Sequence, residues 1–95
     1  GPSRETVNPL VGSLANPEVV DAATRILQGY GPSRETVNPL VGSLANPNVV
    51  DAATRILQGY GQEALQFIRP PIPGTKLYEP LTNVISQIKQ VVISN

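Results

Sequence analysis

Asn16-Pro17-Glu18-Val19-Val20-Asp21-Ala22-Ala23-Thr24-Arg25-Ile26-Leu27-Gln28-Gly29-Tyr30 is the stretch on which the fold turns. An Asn side chain accepts from the first unpaired N–H groups of a helix, and Pro fits the first helical position because its missing N–H is not needed there. Val19, Val20, Ala22, Ala23, Ile26, Leu27 and Tyr30 then recur at spacings of three and four, while Glu18, Asp21, Arg25 and Gln28 fall between them. That pattern places the apolar residues on one side of a helix and the polar ones on the other. Gly29 and Gly31 follow, where a helix end favours left-handed backbone. The stretch predicts an amphipathic helix from about Pro17 to Gln28.

Ahead of it, Ser3 can cap a helix whose apolar stripe is Val7, Leu10, Val11 and Leu14. Pro9 falls inside the stripe, so either this helix kinks there or Asn8 caps a shorter helix beginning at Pro9. A bent or short helix, a turn at Ala15-Asn16 and a straight helix make an αα-hairpin.

The hairpin is then spelled a second time. Gly31–Tyr60 repeats Gly1–Tyr30 with 29 of 30 residues identical, Asn48 standing where the first copy has Glu18. A single hairpin of this size cannot bury its apolar side, and a second one laid beside it can. The fold class this predicts is all-α: two tandem αα-hairpin repeats, residues 1–30 and 31–60, as a short solenoid or bundle with a C-terminal capping helix.

The run Val7-Asn8-Pro9-Leu10-Val11-Gly12-Ser13-Leu14, followed by Asn16-Pro17-Glu18-Val19, Ala22-Ala23, Ile26-Leu27 and Gly29, resembles a HEAT or armadillo-type helical repeat. The resemblance covers residues 3–29 and 33–59. It departs from HEAT repeats at Val20 and Val50, where those helices usually carry Arg. What the resemblance implies is a curved scaffold that binds other proteins.

Beyond Tyr60 the pattern decays into a degenerate third unit, residues 61–95. Gly61–Arg69 reads as another first helix with Ala64, Leu65 and Ile68 inward. Pro70-Pro71-Ile72-Pro73-Gly74 ends it, because three prolines remove three donors and hold an extended path. The P-x-x-P spacing there reads better as a connector than as a ligand for an SH3-type domain. Leu81, Val84, Ile85, Ile88, Val91 and Val92 then give a second amphipathic helix, residues 80–94, placed to cap the second hairpin. Its polar side holds one lysine, Lys89, too few for a membrane-surface helix.

Composition narrows the chemistry. The chain has 95 residues, 40% hydrophobic, with one Phe, three Tyr and no Trp or Met, so its core must be aliphatic. There is no Cys and no His, which removes disulfides, thiolate or imidazole metal sites and nucleophile–base pairs that use either residue. Formal net charge is zero and the seven basic residues are scattered, which argues against nucleic acid as a partner. No Gly-rich phosphate loop is present, and Ser3, Ser13 and their copies have no histidine to activate them. Asp21 with Arg25, and Asp51 with Arg55, stand four apart and suit exposed ion pairs. No enzyme, cofactor or metal site is expected.

These readings point to a protein-interaction or self-assembly module, its most natural partner another copy of itself and its simplest form a dimer. The residues expected to make contact are Asp21, Arg25, Tyr30, Asp51, Arg55 and Tyr60. Two alternatives stand beside this reading: an engineered internal duplication within a small helical domain, and a helical bundle enclosing a small apolar ligand.

Overall fold

The computed structural model describes residues 3–93, with side chains described through Gln90. Five α-helices and one 3₁₀ segment account for it, and the described residues contain no strand. The α-helices are α1 (Arg4–Ser13), α2 (Val20–Tyr30), α3 (Arg34–Ser43), α4 (Val50–Tyr60) and α5 (Tyr78–Ile93). The 3₁₀ segment, Gly61–Phe67, lies between α4 and the connector.

Each first helix opens on a Ser-x-x-Thr cap. The Ser33 N–H donates to Thr36 Oγ1 at 3.0 Å and the Thr36 N–H donates to Ser33 Oγ at 3.3 Å, satisfying two orphan donors reciprocally. Pro9 and Pro39 neither break their helices nor shift the start to Asn8: α1 and α3 run unbroken through them. A proline leaves the carbonyl four residues earlier without its N–H. Pro9 lies on an exposed side of α1, as Glu5 does, so solvent takes that carbonyl. The prolines' own carbonyls accept from Ser13 and Ser43 hydroxyls, both at 2.9 Å.

The second helices begin later than Pro17 and end later than Gln28. Asn16 does cap, its Oδ1 accepting from the Glu18 N–H at 2.9 Å, with the same bond from Asn48 to Asn46. The Asn16 carbonyl takes both Val19 and Val20 N–H groups at 3.1 and 2.9 Å, so residues 17–19 form a tight turn and the regular ladder starts at Val20. At the far end the helix absorbs Gly29. The reversal falls on Gly31 and Gly61, whose φ values of 77° and 74° are left-handed and suit glycine.

The helices stand in two rows. In one, α1 packs on α3 and α3 on the 3₁₀ segment; in the other, α2 packs on α4 and α4 on α5. Helices α1 with α2, and α3 with α4, close each hairpin across the rows. The chain is thus three layers deep. Its second hairpin lies in the middle, and its radius of gyration of 12.5 Å is that of a compact chain of this length, about 12 Å.

The core is aliphatic apart from Tyr60. Leu27, Leu40, Ile56, Leu57, Val84 and Ile88 are all at 1% exposure or less. Burying a side chain of this size stabilises by about 1.5–3 kcal/mol. The segment expected as a third first helix is the 3₁₀ turn instead, with Ala64 buried and Leu65 and Ile68 half-buried. Helix α5 starts two residues before Pro80 and buries Leu81, Val84 and Ile88 with Ile85 packed alongside. Val91 and Val92 lie outside the residues whose side chains are described, and Ser94 lies outside the described chain.

Candidate interaction surface

Two hairpins identical at all but one position occupy different environments, and the difference defines the surface. Ile56 is 0% exposed and Val49 3%, whereas their copies Ile26 and Val19 are 45% and 39% exposed. Thr36 and Leu40 are fully buried, while Thr6 is exposed and Leu10 partly so. Tyr60 is buried and Tyr30 half-buried. Valine, isoleucine and tyrosine at positions 19, 26 and 30 share one side of α2 by helical spacing. In the second hairpin that same side meets the first hairpin. In the first hairpin it faces outward.

The contact between hairpins shows how this side packs in the second hairpin. Tyr60 reaches across and donates its hydroxyl to the Leu27 carbonyl at 2.5 Å, in the last turn of α2. Burial pushes the Tyr60 phenol above its ordinary pKa, partly offset by a hydrogen bond with the Thr36 side chain. Thr36 Oγ1 also lies 2.9 Å from the Gly31 carbonyl and so ties α3 to the end of α2. Gln28 extends the other way, its Nε2 donating to the Arg55 carbonyl at 3.4 Å. The Gln28 amide occupies the space beside Gly59, where a Cβ would stand 2.4–2.8 Å from it. At Gly29 a Cβ would meet nothing within 4 Å.

The far side of the second hairpin is covered by α5. Gln58, the copy of Gln28, donates to Gln87 of α5, and Gln87 lines a shallow groove together with Asp51, Arg55 and Asn83. Among the described residues, the outward side of the first hairpin is therefore uncovered while α5 covers the second, and Ile72 and Tyr78 are exposed beyond it.

The expected contact residues divide accordingly. Tyr30 lies at the open end. Tyr60 lies between the hairpins with its hydroxyl engaged, so an intact molecule does not offer it to a partner. Asp51 and Arg55 are exposed beside α5, and Asp21 and Arg25 hold the matching exposed positions on α2, away from the open side. No ion pair within 4.0 Å joins either Asp to its Arg among the described residues. An exposed pair gains too little to hold two long side chains in one geometry. The sequence suggests self-association through exposed aliphatic residues of the first copy, but Val19, Ile26 and Gly29 are not among the contact residues expected from it. Their spelling is identical to that of buried copies, and only the order of stacking separates them.

Other chemistry is sparse. No group of three or more acidic residues stands close enough to hold a metal ion among the described residues. Ser86 and Lys89 carry an S-x-x-K spacing on α5, but both are exposed and no hydrogen bond links them. An open groove of about 420 Å³ runs between Val41, Phe67, Ile72 and Leu81, with Asn38 and Arg69 at its edge. No described helix is long and apolar enough to cross a membrane.

The arrangement is that of an all-helical protein of paired helices in layers. No protein-family model, curated protein or solved structure matches the chain.

Proposed function

We propose that this protein is an interaction module whose contact surface is the open end of its first hairpin, and that its simplest partner is a second copy of the chain. The proposal keeps the likeness to HEAT and armadillo repeats as a guide to use: a stack of helical hairpins presenting a surface to another protein. The observation that carries it is the exposure of Ile26 and Val19 on a surface whose exact copy is buried in the same molecule. Large aliphatic side chains grouped on one helix side mark association sites when they stand uncovered.

The closed end dictates the form of self-association. Head-to-tail stacking of whole chains needs the free end of one to meet the α5-covered end of another, where Gln58 is already paired with Gln87. Two open ends meeting about a two-fold axis require nothing to be displaced. Such a pair closes on itself and stops at two.

The test is solution mass by light scattering across a hundredfold concentration range, for the unaltered chain and for Ile26→Glu. A monomer–dimer equilibrium that Ile26→Glu abolishes without loss of helicity supports the proposal. An unaltered chain that is monomeric throughout the range overturns self-association, and a dimer unaffected by Ile26→Glu places the contact elsewhere.

A further inference from the structure

We propose that the open end of the first hairpin is a seat for one more hairpin of the same 30-residue sequence. It would be docked on that side in the way the first hairpin docks on the second. The inference rests on reading the open end as a contact surface, and it names the partner chemistry that fits it.

The molecule contains its own demonstration of the fit. The surface made by Leu40, Val49, Ile56 and Tyr60 is covered by a hairpin of the repeat sequence, and Leu10, Val19, Ile26 and Tyr30 reproduce it residue for residue. Complementarity extends to polar detail. An incoming hairpin would bring a helix-end carbonyl in the role Leu27 plays toward Tyr60, and a glutamine amide in the role Gln28 plays beside Gly59. Tyr30 supplies the matching hydroxyl. Gly29 supplies open space where any side chain would intrude, and the Arg25 carbonyl stands where Arg55 accepts the amide in the second hairpin. An unrelated apolar partner would satisfy Val19 and Ile26 alike, but it has no reason to meet the glycine, the phenol and the carbonyl together.

A whole second chain cannot supply this hairpin side, because α5 covers it. The occupant is therefore a hairpin without an α5 behind it: another repeat unit, added in line.

The experiment appends one further copy of Gly1–Tyr30 ahead of the existing chain and keeps the present numbers for the rest. Urea unfolding and amide hydrogen exchange are then compared between the two proteins. The expected result is a single transition with an m-value larger by about one third, in proportion to the added buried surface. Amides of α2 should gain the protection of their α4 counterparts. Ile26→Glu placed in both proteins supplies the control. In the 95-residue chain it leaves folding intact, and in the extended chain it returns the m-value to that of the shorter protein. An extension that leaves the m-value and α2 protection unchanged overturns the inference. If that happens while the 95-residue chain still dimerises through Ile26, the contact surface stands and only the hairpin as its occupant falls. If the extension docks and the 95-residue chain stays monomeric, the hairpin inference stands and self-association falls.

Discussion

Replacing Ile56 and Ile26 by alanine, one at a time, makes the protein its own control. The two residues sit in identical stretches, Val49–Tyr60 and Val19–Tyr30, so effects on local helix propensity and on the unfolded chain cancel between them. Only the surroundings differ. Ile56→Ala removes roughly three methylene-sized groups from a fully buried site, about 2.4 kcal/mol at 0.8 kcal/mol each, and adds a cavity cost that brings the loss to about 3 kcal/mol. Ile26 is 45% exposed, so about half of the transfer free energy is at stake and no closed cavity forms. That leaves a loss of about 1 kcal/mol, and alanine's better helix propensity returns the same few tenths of a kcal/mol in both variants. The expected difference is about 2 kcal/mol for the same substitution, or roughly 1–2 M in urea midpoint for a chain of this size. The assay is equilibrium urea unfolding followed by far-ultraviolet circular dichroism, at concentrations low enough to keep the chain monomeric. Losses within about 0.5 kcal/mol of each other would refute the layered arrangement, because they would mean that both hairpins are equally covered.

Tyr60→Phe deletes the buried hydrogen bond to Leu27 and should cost about 1 kcal/mol, while Tyr30→Phe changes stability by much less; thermal melts of both variants decide this. The same phenol predicts a pH dependence. Its pKa is raised in the folded state above the unfolded value near 10, so its contribution is intact below that pH and is lost as pH rises through the folded pKa. Urea midpoints measured from pH 8 to 11 should fall above about pH 10, and less steeply in Tyr60→Phe. Gly29→Ala should stabilise by about 0.5 kcal/mol through helix propensity, whereas Gly59→Ala should gain little because it displaces the Gln28 amide; paired midpoints test the contrast. Deleting residues 1–30 uncovers Leu40, Val49, Ile56 and Tyr60 at about 1 kcal/mol each. The remaining 65 residues should then lose about 4 kcal/mol, a large share of a small domain's stability. A shortened chain with an unchanged melting temperature would favour the engineered-duplication reading instead.

The apolar periodicity of Val19 through Tyr30 was enough to give α2 and α4, and the Leu81–Ile88 spacing gave α5, because burying one side of a helix needs no distant information. Boundaries were less legible. Asn16-Pro17 signals a helix start, yet the Asn16 carbonyl holds two donors and delays the regular ladder to Val20. Pro9 offered two readings, and the choice between them depended on the exposed position of Pro9, a tertiary fact. The 3₁₀ form of Gly61–Phe67 carries no sequence mark that separates it from an α-helix. The candidate surface was the least legible part. Charge spacing drew attention to Asp21, Arg25, Asp51 and Arg55, which are solvated, and treated Tyr30 and Tyr60 as equivalents. Placing the C-terminal helix over the second hairpin leaves the first at the end of the stack, but the repeated letters alone do not say which of its side chains stand uncovered there.

The buried and exposed copies also set unequal mutational tolerance. A polar replacement at Ile56 or Val49 would strand a polar group in a closed interior, whereas the same replacement at Ile26 or Val19 would meet solvent. Selection on folding alone therefore constrains the second hairpin more tightly than the first. The one site at which the copies already differ obeys this rule: Glu18 and Asn48 are exposed in both hairpins, and the backbone bond each makes to its capping Asn is the same length. If the outward side of the first hairpin had no partner, positions 19 and 26 would be the next free to change.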